Sequence, residues 1–549
     1  MRIEDAAFAM RRILRSDRSQ ALSEMMRGEH RIRAAYRARY DQAAVAMRSL
    51  RQDAAPCIVL GQSVDCARKS HDVRLRQDDA AGCGHMVLSG VTGGGKSALA
   101  LVMLMQLLAL APYTASQIVA EPKRDLSVTI RDTLIPFLVA SLPHEQAVAL
   151  ASRFIYLDVF DPQSTVPFQV LTRDPTLSIE EQAFEVTSSF VRTVGLRDIG
   201  PLQETSLRFA NLAALDLGLD VAGVVKLLRD EAFRRANVPG IAHEAARDYF
   251  ERQFPRERAS SLASLLNRLD SLLAVPGLRK LLTAPGMLRF PDLLDHRVVI
   301  IDLGGAPAGM REAQRFVGEL MIARLVRSIF ARPVTHHTPP VGLWLDEFQE
   351  LLTPELASDA GRVLALARSK RCFLRVLHQS GAQFSDSSLL RIVRSQSDFH
   401  AVFRADEQDA KYLESFLPAL RDPTTSFDGS EDHESKDRSA RRALLEKVPH
   451  LPHRLFFWLD KRQPYPAILT RSATYPFAEA RRVADALPER LRAALRTGAI
   501  HEVTEYPQPR ERPVPPNDAT AATHRIEPPV TDRLQPYPTP PAPRRIRLG

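Results

Sequence analysis

Residues 90–97 read Gly-Val-Thr-Gly-Gly-Gly-Lys-Ser, and few eight-residue stretches restrict a fold as tightly. An apolar run, His85-Met86-Val87-Leu88, precedes them, and a long apolar stretch from Ala98 to Ala111 follows and meets Pro112. That setting predicts strand, loop, helix, which is the context a phosphate-binding loop needs. The glycines at 90, 93, 94 and 95 let the backbone wrap an anion closely, because a side chain there would block the approach. N–H groups from about Gly93 to Ser97 then converge on the phosphate, and the positive end of the following helix adds to the attraction. Val91 and Thr92 complete the loop and Ala98 opens the helix. Lys96 is placed to reach the β- and γ-oxygens of a triphosphate, and the Ser97 hydroxyl to hold Mg²⁺. The bland alternative is a Gly-rich turn carrying a solvated lysine.

The rest of the chain predicts an α/β fold. Short apolar runs recur at 57–60, 117–120, 154–157, 298–301, 341–345, 372–377, 399–403, 455–458 and 467–469. Most are near-continuous rather than alternating, as in strands buried on both faces of a mainly parallel sheet flanked by helices. Between the runs at 154–157 and 298–301 the strand pattern stops. Residues 178–288 read as consecutive helices, with Leu207, Ala210, Ala214 and Leu217, and again Leu262, Leu265, Leu266, Leu269 and Leu273, at helical spacing. Proline and glycine punctuate them. The division expected is a helical N-terminal segment (1–52), the first part of an ATPase core (53–177), an all-helical insertion (178–288), the second part of the core (289–500) and a Pro-rich tail (501–549).

Composition narrows the classes further. With 549 residues, 45% apolar and 25% charged, the chain is ordinary for a globular protein of a few domains. The best candidate for a membrane span, Ala98–Ala111, is too short and contains Gln106. No secretory leader is visible, so the expected location is cytoplasmic, with membrane association only through a partner. Cys57, Cys66, Cys83 and Cys372 form no C-x-x-C pair, and Cys66, His71, Cys83 and His85 fit no standard zinc spacing. Of the net charge of +9, residues 1–51 carry +6, from twelve arginines, no lysine and six acids. Such a segment suits a polyanion partner and equally suits a solvated helical pair. Residues 422–442 have almost nothing to bury and predict a mobile loop. Twelve prolines in residues 501–549 predict a disordered or polyproline-like tail.

Hydrolysis of a triphosphate needs a carboxylate for the Mg²⁺ shell and a base near the attacking water. Leu343-Trp344-Leu345-Asp346-Glu347 supplies both at the end of an apolar strand. Asp346 is the expected Mg²⁺ ligand, through water, and Glu347 the residue that polarises the attacking water. Read without the phosphate loop, the same pair would be an exposed acidic cap on a helix at 348–352. The run 372–377 ends at His378-Gln379-Ser380, which makes Gln379 the candidate sensor of the γ-phosphate, with His378 in packing or a loop contact. Among Arg362, Arg368, Lys370 and Arg371, Arg368 is the first candidate for a guanidinium delivered to a neighbouring subunit's phosphate, and Arg371 the second. A solvated or DNA-facing basic helix face explains them equally well.

The ordered series is more specific than any one motif. It runs Leu60-Gly61, His85, the 90–97 loop, Glu121-Pro122-Lys123-Arg124-Asp125-Leu126, the helical insertion, Val298 to Leu303, Leu345-Asp346-Glu347-Phe348 and Gln379-Ser380. Over about residues 55–475 it resembles the HerA/FtsK superfamily of ring-forming ATPases, and within it the conjugative coupling proteins and their TraG/TraD-like relatives. The resemblance implies a RecA-like P-loop core that uses ATP and Mg²⁺, forms a homo-hexamer with ATP between subunits, and translocates DNA through the ring. It implies secretion-channel or relaxase partners in conjugative or mobile-element transfer. The alternative is a HerA-like hub that assembles with a nuclease or other effector in anti-phage defence or DNA processing. Two departures stand out: family members often carry Asp where Glu121 stands, and coupling proteins usually carry an N-terminal membrane anchor where this chain has a basic helical segment.

Overall fold

The computed structural model describes residues 57–497 apart from 65–70, 77–83, 111–114, 162–169, 174–176, 194–198, 257–258, 284–289, 306–310, 336, 348–349, 351–363, 365, 385–386, 414–444, 446–447 and 464–466. The N-terminal basic segment, the 422–442 stretch and the Pro-rich tail lie outside the described residues. Eleven strands form one sheet in the order β2-β1-β11-β10-β9-β3-β8-β7-β4-β6-β5. They are β1 (Cys57–Ser63), β2 (Asp72–Arg76), β3 (Met86–Ser89), β4 (Ser116–Glu121), β5 (Phe154–Asp158), β6 (Val298–Asp302), β7 (Val341–Leu345), β8 (Cys372–His378), β9 (Phe399–Val402), β10 (Leu455–Asp460) and β11 (Ile468–Ser472). From β9 to β5 every pairing is parallel. From β9 to β2 every pairing is antiparallel.

The near-continuous apolar strands are buried on both faces, as parallel strands must be. Along them, side chains alternate between two cores. Val87, Ile118, Val299, Leu343 and Val376 face one; Met86, Val119, Ile300, Trp344 and Leu377 face the other. The second core receives α1 (Lys96–Leu110) and the helices between β4 and β5. The first receives α4 (Arg311–Ala331) and the helices between β5 and β6, among them α2 (Ile179–Thr193) and α3 (Pro201–Leu217). No strand lies between β5 and β6 among the described residues. These helices share one apolar core with the sheet face rather than closing a core of their own, and α2 packs on α4.

Of the eleven strands, β2 lacks a continuous apolar run. Only Val73 and Leu75 are buried, and Asp72, Arg74 and Arg76 alternate with them, as on a strand with one wet face. Gln106, the polar residue inside the otherwise apolar α1, serves β1. Its side chain accepts from the Val59 N–H at 2.8 Å and donates to the Val59 carbonyl at 2.9 Å, where the β1–β2 register shifts. A bulge frees backbone groups from the ladder, and this amide satisfies them. Among the described residues no helix is long and apolar enough to cross a membrane.

Candidate active site

β3 ends at Ser89 in the middle of the sheet, flanked by β8 and β9, and residues 90–95 turn directly into α1. Ligands of open α/β sheets bind outside the carboxyl ends of such strands. The loop bends through positive φ at Gly90 (142°), Gly93 (75°) and Gly95 (118°). At Gly90 the conformation and the space both demand glycine: an added Cβ would sit 2.7 Å from Phe403 Cβ and 2.8 Å from the Arg404 carbonyl. Phe403 thus forms the floor of the loop. Two further chain segments hold its backbone. Val91 N–H donates to the Arg404 carbonyl at 2.7 Å, and Arg454 N–H donates to the Gly94 carbonyl at 2.9 Å. His453 Nδ1 lies 2.5 Å from the Gly93 carbonyl, which makes it the donor. Because a peptide is planar and trans, turning the Gly94 carbonyl toward Arg454 aims the Gly95 N–H the opposite way. Thr92 and Gly93 are exposed at the tip, while Ser97 and Ala98 sit half-buried in the first turn of α1.

Lys96 is only 6% exposed, and its ammonium donates to the carbonyls of Gly90 and Val91. Burial pulls its pKa below the ordinary lysine value, against the opposing pull of Glu347 and Asp346. These two acids follow β7, one strand beyond β8. They are 7% and 5% exposed, so they are not the exposed helix cap that the pair alone would equally suggest. Burial, with Glu121 and Glu347 close by, pushes Asp346 up to about 7. Glu347 takes a left-handed backbone (φ 46°), and its own N–H donates to Asp346 Oδ1 at 3.0 Å. Gln379, at the tip of β8, donates through Nε2 to Glu347 Oε1. Lys96, Asp346, Glu347 and Gln379 therefore meet at the carboxyl edge of β3, β8 and β7.

The residues fit a triphosphate with Mg²⁺. The glycine cradle would be filled by a Cβ, a buried lysine lies over it, and the carboxyl beside that lysine is raised by burial and by the neighbouring Glu121 and Glu347, a crowding of acids that a cation would offset. The loop N–H groups and Lys96 would hold the phosphates, with Ser97 and Asp346 holding the metal. When bound, Mg²⁺ would supply Lewis-acid polarisation of the phosphate oxygens.

Other sequence candidates stand elsewhere. Arg368 precedes β8, at the sheet edge opposite the phosphate loop, and pairs with Asp398 at 2.5 Å and the Gln396 carbonyl at 2.8 Å. Arg371, with φ 55°, adjoins the same N-terminal end of β8. Neither reaches the site of its own chain. His378 is buried against Phe384, with ring centroids 5.2 Å apart. His85 is also buried: Nδ1 accepts the Leu374 N–H at 2.9 Å and Nε2 faces the Leu364 carbonyl at 2.9 Å, so the ring joins strand to helix. Glu121 accepts the N–H groups of Asp125, Leu126 and Ser127 at 3.0, 2.9 and 2.6 Å. That capping occupies its carboxylate, so Asp346 rather than Glu121 faces Lys96.

Three contributors escape a reading of local pattern: Lys123, Phe403 with Arg404, and His453 with Arg454. Lys123 Nζ donates to Glu347 Oε1 at 2.7 Å. Its neighbour Arg124, left-handed at φ 73°, pairs with Asp158 at the end of β5 and with Asp302 at the end of β6, the latter at 3.2 Å. The Lys-Arg pair was visible as part of the motif series, but its targets depend on which strands are neighbours.

No family model matches the chain, and no curated protein matches it. Among solved structures, VirB4 of Thermoanaerobacter pseudethanolicus aligns with a TM-score of 0.50 at 14% identity, over 78% of this chain and 99% of that one. The bacterial conjugative coupling protein TrwB, in an unbound form, aligns at 0.49 and 13% identity, over 79% of this chain and 92% of its own. TrwB in complex with ADP and Mg²⁺ aligns at 0.47 and 13% identity, over 79% and 98%. The likeness to VirB4 shows a shared fold, and the fold is the α/β, RecA-like P-loop architecture expected from the sequence. The residue roles rest on the geometry alone.

Proposed function

We propose that this chain is a Mg²⁺-dependent ATP hydrolase whose copies assemble as a hexameric ring and drive DNA through it, in conjugative or mobile-element transfer. The observation that carries the hydrolase part is the meeting of buried Lys96, Asp346 and Glu347 with half-buried Gln379 beside a glycine cradle. A binding loop alone needs no second acid; Glu347, oriented by an amide and an ammonium, is what a water-activating base requires. The motif series supports the DNA-motor part; the fold shared with VirB4 supports the P-loop core on which it would be built. Loop N–H groups and Lys96 bind the phosphates, Ser97 and Asp346 take the metal, Glu347 accepts the proton of the attacking water, and Gln379 holds that carboxylate in place. Arg368 faces away from its own loop, so a role at phosphate would be at the site of an adjacent copy. Secretion-channel proteins or a relaxase are the partners this reading calls for.

The test is direct. Glu347→Gln should bind nucleotide normally and lose turnover by about 100-fold or more. Lys96→Ala should lose nucleotide affinity. DNA should stimulate wild-type turnover, and DNA binding should weaken steeply between about 50 and about 200 mM salt, since the contacts are to phosphates. Wild-type turnover in Glu347→Gln would refute the base assignment. Particles that stay monomeric with ATP analogue and duplex DNA would refute the motor.

A further inference from the structure

The turn at 122–124 is fixed from three sides. Arg124 bridges Asp158 and Asp302, which sit side by side in the register of β5 and β6. Gln314 Nε2, on α4, donates to the Pro122 carbonyl at 2.6 Å. Gly304 lies so close that a Cβ there would come within 2.6 Å of Arg124 N and 2.8 Å of Lys123 C. On this platform Lys123 leans the other way, across β4, and its ammonium meets Glu347 Oε1 at 2.7 Å; Glu350 is the next acid, at 4.0 Å. Gln379 donates to the same oxygen from the opposite side. A carboxylate gripped on one oxygen by two donors has its plane set, and charge-assisted donors are the stronger kind. The Lys123 side chain is 37% exposed against 6% for Glu347, so the ammonium closes the solvent side of a buried acid.

From this we infer that Lys123 is a positioning residue for the hydrolytic carboxylate, aimed by the Arg124 anchor. It touches neither loop nor metal ligand in the structure and acts through Glu347; the inference rests on the hydrolase reading above. Arg124 ties it to the ends of β5 and β6, the two strands between which the helical segment leaves and returns. The orientation of Glu347 is thereby linked to the root of that segment.

Two measurements test it. Lys123→Met should lower kcat by about 10- to 100-fold while nucleotide Kd stays within about twofold, and Lys123→Arg should recover most of the loss. The second needs neither nucleotide nor turnover: reductive methylation followed by mass spectrometry. Lys123 engaged with a carboxylate should react about threefold or more slowly in the wild type than in Glu347→Gln, with the lysines other than Lys96, which also feels Glu347, unchanged. Lys123→Met with wild-type kcat, or with a loss confined to nucleotide affinity, would overturn the inference, as would equal labelling in the two proteins. A wild type that never cleaves ATP would refute the hydrolase reading, and labelling would still decide whether Lys123 grips Glu347.

Discussion

Asp346 shows how one buried position takes its character from its neighbours. Its carboxyl is raised to about 7, first by burial and then by Glu121 and Glu347, with Lys96 pulling the other way. The folded pKa lies above the unfolded one, so ionising this group on raising the pH from about 4 to about 7 costs folding stability, and below that window the cost is absent. In metal-free solution we therefore expect Asp346→Asn to be more stable than the wild type by an amount that grows across that window, to about 2–4 kcal/mol at pH 7 and above. Urea unfolding of both proteins from pH 4 to 8 measures it, and a constant difference would show that Asp346 is not raised. The charge of this carboxyl therefore opposes folding at neutral pH. Its place in the site was legible in the sequence, as were those of Lys96, Glu347 and Gln379, because each ends an apolar strand or the loop after one. Lys123 and His453 were not. Their partners, Glu347 and the Gly93 carbonyl, lie hundreds of residues away in the chain and depend on strand order.

Among the elements, α1 and β1 depend on one amide. Gln106 donates to and accepts from Val59 across 47 positions of sequence and also bonds the Val102 carbonyl one turn back. Gln106→Leu would suit the apolar helix and leave the Val59 N–H and carbonyl without their partners. We expect it to cost about 1–3 kcal/mol, with β1 amides near the bulge exchanging faster than those of β3. A variant as stable as the wild type would mean that water replaces the amide. Ten of the eleven strands coincide with the apolar runs; in the parallel part of the sheet two-sided burial leaves an unbroken mark, and β1 and β11, which are wetter on one face, still carry short apolar stretches. β2 escaped because it has one wet face and only two apolar residues. The helices between β5 and β6 were legible as helices from spacing and punctuation. That they share a core with the sheet was not, because spacing gives a helix its apolar face and not the surface that covers it.

Across the whole molecule, three fully buried histidines set an acid limit. Burial depresses His85 to about 4 and His378 and His400 to about 3. A folded pKa below the unfolded value of about 6.5 means that the neutral rings stabilise the fold fully above that pH and progressively less as the pH falls through it. By pH 5 each ring should remove about 2 kcal/mol. In Asp346→Asn, where the opposing titration of that carboxyl is removed, the urea midpoint should fall from pH 7 to pH 5, and a flat midpoint would argue that these rings reach water. The sheet order carries a consequence for biosynthesis. β3 bears the phosphate loop, yet its two neighbours, β8 and β9, lie close to three hundred residues later, and β1 finds β11 only near Ser472. On a ribosome adding about 5–20 residues per second, the early strands therefore wait tens of seconds with open edges. A nascent chain halted before β8 would be a substrate for holding chaperones rather than a partly working enzyme.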